Sequence, residues 1–332
     1  MATISRGRPL SNMKSNDFIS ISCAADHNYA CGLFVTLKSI VDHTKSRLKI
    51  NVLDTGLTAA DREELKSLLP DEDIHFFTLD TSIFQGLPSW RGNHATYARL
   101  LLQDYLKEDW TIYTDIDTLW LRDIADLWAE REEGKFICAV ADGSGNSAFT
   151  SGPENARLFA AAGRPEPLNP ADYFCAGLVM LNLKALRTMN FTRAAMDFLK
   201  NYPQLLAFPD QNLYNWFFAG KKCKLVDQRW NEFSTMYGRF GVDAPRMIHY
   251  ANQAPWRRKV TAVGNLWWEY LANRVGFKCL NEAAAKFQAD YEKRARKWKL
   301  LSNKIVFNLV YGPLRIFNPK TYRKRHHEIF PA

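Results

Sequence analysis

This 332-residue chain is short of three things: grouped cysteines, long apolar runs and, over most of its length, any excess of charge. The six cysteines, Cys23, Cys31, Cys138, Cys175, Cys223 and Cys279, form no C-x-x-C pair and no clustered framework, which argues against a zinc knuckle or a disulfide scaffold and fits a reducing cytoplasm. No apolar stretch approaches the roughly 18 residues of a membrane-spanning helix. Residues 1–16 are polar, carry Arg6, Arg8 and Lys14 and have no apolar h-region, so they read as a flexible N-terminus and not as a secretory signal. A G-x-S-x-G elbow is also missing, which sets serine-hydrolase chemistry aside. What is present is a globular composition, 47% hydrophobic and 24% charged, with material for one large domain or one and a half.

The net charge of +9 sits at one end. From Lys286 onward twelve Lys or Arg face three acids, Asp290, Glu292 and Glu328, while the 285 residues before them balance. Trp298, Leu300, Leu301, Ile305, Phe307, Tyr311 and Phe317 are interleaved with those cations, a composition suited to an interfacial segment on an anionic membrane surface. By periodicity alone, a C-terminal helix packing its apolar face on the domain is an equal alternative. Binding of nucleic acid through the tail is a third reading, but no RNA or DNA motif accompanies it, and no nucleic-acid partner is expected.

Taken in order, Phe18 to Ala25 is a strand by composition, and a helix with Leu33, Phe34, Leu37, Ile40 and Val41 on one face follows. Lys49 to Leu53 is a second strand, Thr58 with Asp61 caps a helix running to about Leu69, and Ile74 to Thr78 is a third strand. The order βαβαβ predicts a parallel sheet with right-handed crossovers. Ala95 to Leu106 reads as an amphipathic helix, with Tyr97, Leu100, Leu101 and Tyr105 on the apolar face and Arg99 on another side.

The chain is organised around Trp110 to Trp120, an apolar and β-branched run read as one strand that carries Asp115 and Asp117. Alternation puts both acids on the same face while Ile116 turns back to the core. Two adjacent carboxylates repel unless a cation sits between them, and a hard divalent ion bridging substrate phosphates is the natural resident. The plain alternative is a strand end with two solvated acids. Beyond it, Ile124 to Glu133 looks helical and Lys135 to Ala141 is a strand ending at Asp142. Gly143-Ser144-Gly145-Asn146-Ser147-Ala148 matches the dinucleotide fingerprint, but Thr150-Ser151-Gly152-Pro153 cannot continue the helix that such a site requires, so the segment reads as a loop over the site. Gly163 to Pro170 is a further loop, and Tyr173 to Leu183 is a buried strand.

Seven segments, in order, carry a family resemblance: Asp26-His27-Asn28-Tyr29; Thr96-Tyr97-Ala98-Arg99-Leu100; Tyr113-Thr114-Asp115-Ile116-Asp117 with Leu127-Trp128; Tyr173-Phe174-Cys175-Ala176-Gly177; Asp210-Gln211-Asn212-Leu213-Tyr214-Asn215; Arg229-Trp230-Asn231; and His249-Tyr250 with Pro255-Trp256. Together, from about Phe18 to Trp256, they resemble family 8 of the retaining glycosyltransferases, and within it the bacterial lipopolysaccharide α-galactosyltransferases. The resemblance implies an α/β GT-A fold, with a mostly parallel, Rossmann-like central sheet flanked by helices. It implies a UDP-sugar donor, a saccharide or lipo-oligosaccharide acceptor, and Mn²⁺ held by Asp115, Asp117 and His249, with Mg²⁺ as the alternative ion. Two carboxylates and an imidazole suit Mn²⁺ better than Mg²⁺. Taken alone, His249 would be a strand-end histidine.

The same resemblance assigns Ala24, Asp26, Asn28 and Tyr29 to the uridine, though as bare residues they form a turn. Arg99 becomes a diphosphate or donor-sugar contact, where a lone helical Arg is ordinarily solvated, and the Asp115-Ile116-Asp117 segment completes the donor site. Asp142, Asp210 and Gln211 would surround the transferred sugar. An amide is a poor nucleophile, so the implied route is front-face internal return, the leaving phosphate taking the acceptor proton. As bare residues, Asp210 and Gln211 read as a helix N-cap and a first-turn polar residue. Two departures stand out. Cys175 replaces the family's usual Asn, and Asn252-Gln253-Ala254 replaces a segment with Gly and a phosphate-binding Lys, for which Arg257, Arg258 or Lys259 would substitute. The expected division is therefore a flexible 1–16, a catalytic domain over 17–280 and a membrane-associating basic tail over 281–332, placing the protein on the cytoplasmic face of the plasma membrane. A membrane-docked protein on this fold that no longer catalyses is the competing reading.

Overall fold

The computed structural model describes residues 18–87, 94–143, 160, 163, 168–203, 208–236, 245–256 and 263–276. The N-terminal 16 residues, most of the fingerprint-like loop, Arg257 to Lys259 and the basic tail lie outside the described residues.

The opening βαβαβ forms as its spacing predicts. Strands β1 (Ile19–Ala25), β2 (Leu48–Asp54) and β3 (Asp73–Thr78) pair in parallel, with Ile21 beside Ile50 and Ile50 beside Ile74. Helix α1 (Ala30–His43) buries Leu33, Phe34, Leu37, Ile40 and Val41, and α2 (Ala59–Leu68) starts in a full capping box between Thr58 and Asp61. Strand β4 (Trp110–Thr114) joins β1 on its other edge, again in parallel, with Ile21 beside Ile112.

After Thr114 the sequence reading needs correction, because the run from Trp110 to Trp120 is two strands. The chain leaves the large sheet at Asp115, and β5 (Thr118–Trp120) belongs to a second, three-stranded sheet. The break is stable because its backbone groups find other partners. The Asp115 N–H donates to the Gly177 carbonyl at 2.7 Å. The Thr36 hydroxyl lies 3.0 and 2.9 Å from the carbonyls of Ile116 and Thr118, and the Thr118 hydroxyl donates to the Asp115 carbonyl at 3.0 Å.

The large sheet continues through β6 (Ile137–Ala141), β7 (Phe174–Asn182) and β8 (Cys223–Val226), in the order β3-β2-β1-β4-β7-β6-β8. Only β7 runs against its neighbours, antiparallel to both β4 and β6, so the sheet is mostly parallel as expected. Eight of the nine β7 residues are buried, which accounts for its unbroken apolar run. One face of the sheet packs on Leu100, Phe191, Tyr214 and Phe218, the other on α1, Leu65, Trp120 and Trp230. Strand β9 (Glu232–Phe233) and β10 (Met247–His249) complete the small sheet, β10 lying between β9 and β5.

Three helical readings are adjusted. The segment expected to be one amphipathic helix winds as a 3-10 helix over Ala95–Leu101 and as α-helix only over Leu102–Tyr105. The helix at Ile124 ends at Trp128 rather than Glu133; the acids Glu130, Glu132 and Glu133 that follow oppose a helix C-terminus electrostatically. The helix Pro209–Phe218 is capped by Phe208, with Pro209 at its first position, so Asp210 sits within the first turn and is not the N-cap.

Candidate active site

The break after β4, the start of β7, the first turn of Pro209–Phe218 and the end of β10 open onto one cleft of about 300 Å³. Its described lining includes Asp115, Asp117, Asp142, Asp210, Gln211, Arg99, Cys175 and His249, so the structure brings together the acids, amide and imidazole that the sequence places far apart. Asp115, Asp117 and His249 each offer a ligand atom, and these atoms all lie within 4.8 Å of one another. His249 Nε2 is 3.3 Å from Asp117 Oδ1 and 3.8 Å from Asp115 Oδ2. Ile116 between the acids is buried in the core as expected, although the segment is the break between β4 and β5 and not the strand whose alternation predicted it.

Electrostatics agree with a cation site. Burial pushes Asp115 up to about 6 against the pull of Arg99, and the neighbouring Asp117 adds to the rise. Burial acts the same way on Asp117, but His249 beside it holds it below the usual carboxylate range. For His249 burial disfavours the proton, yet Asp117 keeps it well above the ordinary histidine value. Two acids that need a positive neighbour, and an imidazole serving as one, form a donor set that a divalent ion fits.

Close approach is built in. A Cβ on Gly177 would stand 2.3 Å from His249 Cε1 and 2.9 Å from Asp115 Oδ2, so no other residue fits between β7 and the triad. A Cβ on Gly32 would meet the Ile116 carbonyl at 2.7 Å and the Trp256 ring at 2.4 Å, which ties α1 to the acid turn.

Arg99 is not the solvated arginine that helical phase suggests. It is buried, donating from Nη2 to Asp115 Oδ1 at 2.7 Å and from Nη1 to the Ala176 carbonyl at 2.6 Å, while Nε lies 3.1 Å from Asp210 Oδ2. Its guanidinium carbon lies 4.4 Å from the centroid of the Tyr113 ring. Gln211 is equally committed: Oε1 accepts the Ala176 N–H at 3.1 Å, and Nε2 donates to Asp142 Oδ2 at 2.7 Å and to the Tyr173 hydroxyl at 3.2 Å. Cys175 is buried against the cleft, and its sulfur accepts the Gly177 N–H at 3.4 Å.

The residues assigned to uridine sit beyond β1. Asp26, His27, Asn28 and Tyr29 form the turn into α1, with the His27 N–H donating to the Gly56 carbonyl at 3.1 Å and Tyr29 packed edge-on to Trp256 at 6.0 Å. Asp26 Oδ1 is buried with no hydrogen-bond partner, an acceptor suited to a ligand N–H. Ala24 lies at the end of β1, half-buried, against the core of the Leu100 side. Sequence reasoning named Gly177 and Asn231 only as parts of motifs and missed Thr36 altogether; their roles rest on contacts with residues remote in sequence.

A mostly parallel α/β sheet of this order, with the two-acid, one-imidazole cleft at its strand ends, has the GT-A architecture of the solved structures it matches. The chain belongs to glycosyl transferase family 8, whose model matches residues 20–260. It is 25% identical to the lipopolysaccharide 1,3-galactosyltransferase of Salmonella typhimurium, over 67% of this chain and 66% of that one. With the lipopolysaccharide 1,2-glucosyltransferase of Escherichia coli K12 it shares 21% identity over 95% of each chain. Among solved structures, the galactosyltransferase LgtC in complex with donor and acceptor sugar analogs matches with a TM-score of 0.67 and 24% identity, over 80% of this chain and 98% of that one. The chain spans less than two thirds of the length of other curated relatives: 63% of a Haemophilus influenzae relative, and 36% and 59% of GlyA and GlyE from Streptococcus pneumoniae. Among the described residues, no helix is long and apolar enough to cross a membrane.

Proposed function

We propose that the protein is a retaining, Mn²⁺-dependent glycosyltransferase that moves a hexose, galactose, glucose or galacturonate, from a UDP-sugar to a saccharide acceptor of the lipopolysaccharide core or another cell-surface glycan. The observation that carries this reading is the convergence of Asp115, Asp117 and His249 on the wall that also presents Gln211 and Asp142. Those three residues would hold the ion, which when bound neutralises the diphosphate leaving group and anchors it in the cleft.

The chain's own residues do the rest. Asp26, with its unpartnered oxygen, would accept the uracil N–H at the β1 end of the site. Arg99 holds Asp115 and Asp210 in place from beneath the cleft. Gln211 has its oxygen on a backbone N–H and its nitrogen on Asp142, an arrangement that orients a sugar but leaves the amide oxygen little freedom to attack carbon. The front-face route follows: the anomeric carbon–phosphate bond breaks, the acceptor oxygen bonds to that carbon from the same side, and the acceptor proton passes to the departing phosphate oxygen. Configuration is retained without a covalent enzyme intermediate.

The segment 281–332 completes the proposal as a basic, aromatic tail that holds the domain on the inner, anionic face of the plasma membrane, within reach of a lipid-linked acceptor. A panel of UDP-hexoses, with Mn²⁺ or with EDTA, scored for UDP release, tests the activity and names the donor together. One UDP-hexose turned over only with the metal is the expected result; no metal-dependent release from any of them would overturn the reading.

A further inference from the structure

A metal-binding histidine must aim one particular ring nitrogen at its partners, and the surroundings of His249 provide for this. Phe233 lies with its ring centroid 5.4 Å away at an interplanar angle of 31°. Gly177 crowds Cε1 from β7. Both restrict where the ring sits, but neither tells one nitrogen from the other. Asn231 does: its Oδ1 lies 2.9 Å from His249 Nδ1, and both side chains are buried. An amide oxygen can only accept, so this contact requires Nδ1–H and makes Nε2 the nitrogen that faces the carboxylates, where it would give up its own proton to a metal ion. A half-turn of the ring about Cβ–Cγ would lose the bond and carry Nε2 away from Asp117. The amide nitrogen of Asn231 is meanwhile buried with no hydrogen-bond partner, so the residue is held there for its oxygen. Parallel pairing of β9 with β10, Glu232 beside Ile248 and Phe233 beside His249, is what brings Asn231 alongside the histidine. Asn231 is absent from the described lining of the cleft, so any influence it has on a ligand passes through His249.

We propose that Asn231 is a positioning residue of the metal centre, selecting the tautomer and ring orientation of His249 and through them setting the affinity for a divalent cation. The inference rests on the metal site of the proposed function. It goes beyond it by adding a residue that touches neither metal nor sugar. Partners of this kind, when removed from a ligating histidine, weaken metal binding by about 10–100-fold.

The test uses the full chain and Mn²⁺ alone, with the free ion followed by electron paramagnetic resonance. Asn231→Leu, similar in volume but without an acceptor, should bind Mn²⁺ about 10–100-fold more weakly. Asn231→Asp keeps an acceptor at the same atom and forfeits no bond from the idle nitrogen, so it should bind within the wild-type range. In a His249→Ala background the Asn231→Leu change should have no further effect. Thermal melts in EDTA identify a variant that has merely lost its fold, and Asn231→Ala carries the same comparison if Asn231→Leu melts early. Wild-type affinity in Asn231→Leu, equal weakening by Asn231→Leu with and without His249, or an Asn231→Asp variant as poor as Asn231→Leu would each overturn the proposal. Failure of the wild-type chain to bind Mn²⁺ would be seen before any variant is compared, and would remove the metal site and this inference together.

Discussion

Arg99→Met separates a cation that holds the site together from one that contacts the donor. Methionine keeps an unbranched apolar stem in place. It leaves Asp115 Oδ1 without a partner at 2.7 Å, Asp210 Oδ2 without one at 3.1 Å and the Ala176 carbonyl without its donor at 2.6 Å. Removing one member of a buried ion pair costs about 3–5 kcal/mol, because the charge left behind stays buried. Here the Arg99 side chain is 6% exposed and that of Asp210 11%, but that of Asp115 is 28% exposed and water will screen it in part, so the lower end applies. A loss of about 3 kcal/mol lowers the melting temperature by roughly 6–12 °C at the 2–4 °C per kcal/mol of domains of 150–250 residues. Arg99→Lys, which keeps a charge but not the fork that serves two acids and a carbonyl, should fall between wild type and Arg99→Met. The measurement is a thermal melt in EDTA with no donor present, paired with KM for the UDP-sugar. An unchanged melt accompanied by a raised KM would refute the argument and return Arg99 to the role of donor contact.

Four further outcomes are expected. Asp117→Ala should leave the fold intact and cut turnover at least about a hundredfold, as loss of a positioned electrostatic group does; near wild-type UDP release would sink the site assignment. Gln211→Ala should lose activity only in part, and trapping a covalent glycosyl adduct, seen by mass spectrometry, would contradict the front-face route. Mn²⁺ affinity should rise with pH through about 6 and go on rising above the ordinary histidine range, because a proton occupies Asp115 below about 6 and His249, held above its ordinary value by Asp117, gives up its own later; a flat profile in Mn²⁺ titrations would refute the ligand set. Truncation near Lys286 should release the protein from anionic liposomes while donor hydrolysis survives, at about 1 kcal/mol per basic residue near the surface; an insoluble or inactive fragment would favour the packed-helix reading of the tail.

What the sequence made legible was what local pattern encodes. The opening βαβαβ, the buried face of α1 and the Thr58 cap follow from periodicity and capping chemistry, and all form where expected. The strand break after Thr114 was not legible, because β-branched residues continue on both sides of it. The partner that stabilises the break, the Thr36 hydroxyl, is 80 residues from Ile116 and 82 from Thr118. Nor does an apolar run record direction, so nothing local marks β7 as the antiparallel strand. The burial of Arg99 was not legible because every residue from Tyr97 to Leu101 is buried, so periodicity has no solvent face to report there. The two acids were readable from their spacing, whereas His249 was found only through the family resemblance, since its neighbours in sequence say nothing about the acids it meets.

Those long-range contacts decide the electrostatic character of the cleft. Asp115, Asp117, Asp142 and Asp210 line it, and among its described lining residues the only Lys or Arg is Arg99, already shared between Asp115 and Asp210. An anionic diphosphate entering such a cleft meets carboxylates before it meets any uncommitted cation. Like charges at close range in a partly buried site repel far more strongly than in water. A divalent ion held by the Asp115, Asp117 and His249 atoms would offset the charge of the two carboxylates nearest it and so lessen the repulsion that the donor meets. Cation and donor therefore reinforce one another, and by linkage each should bind more tightly in the presence of the other.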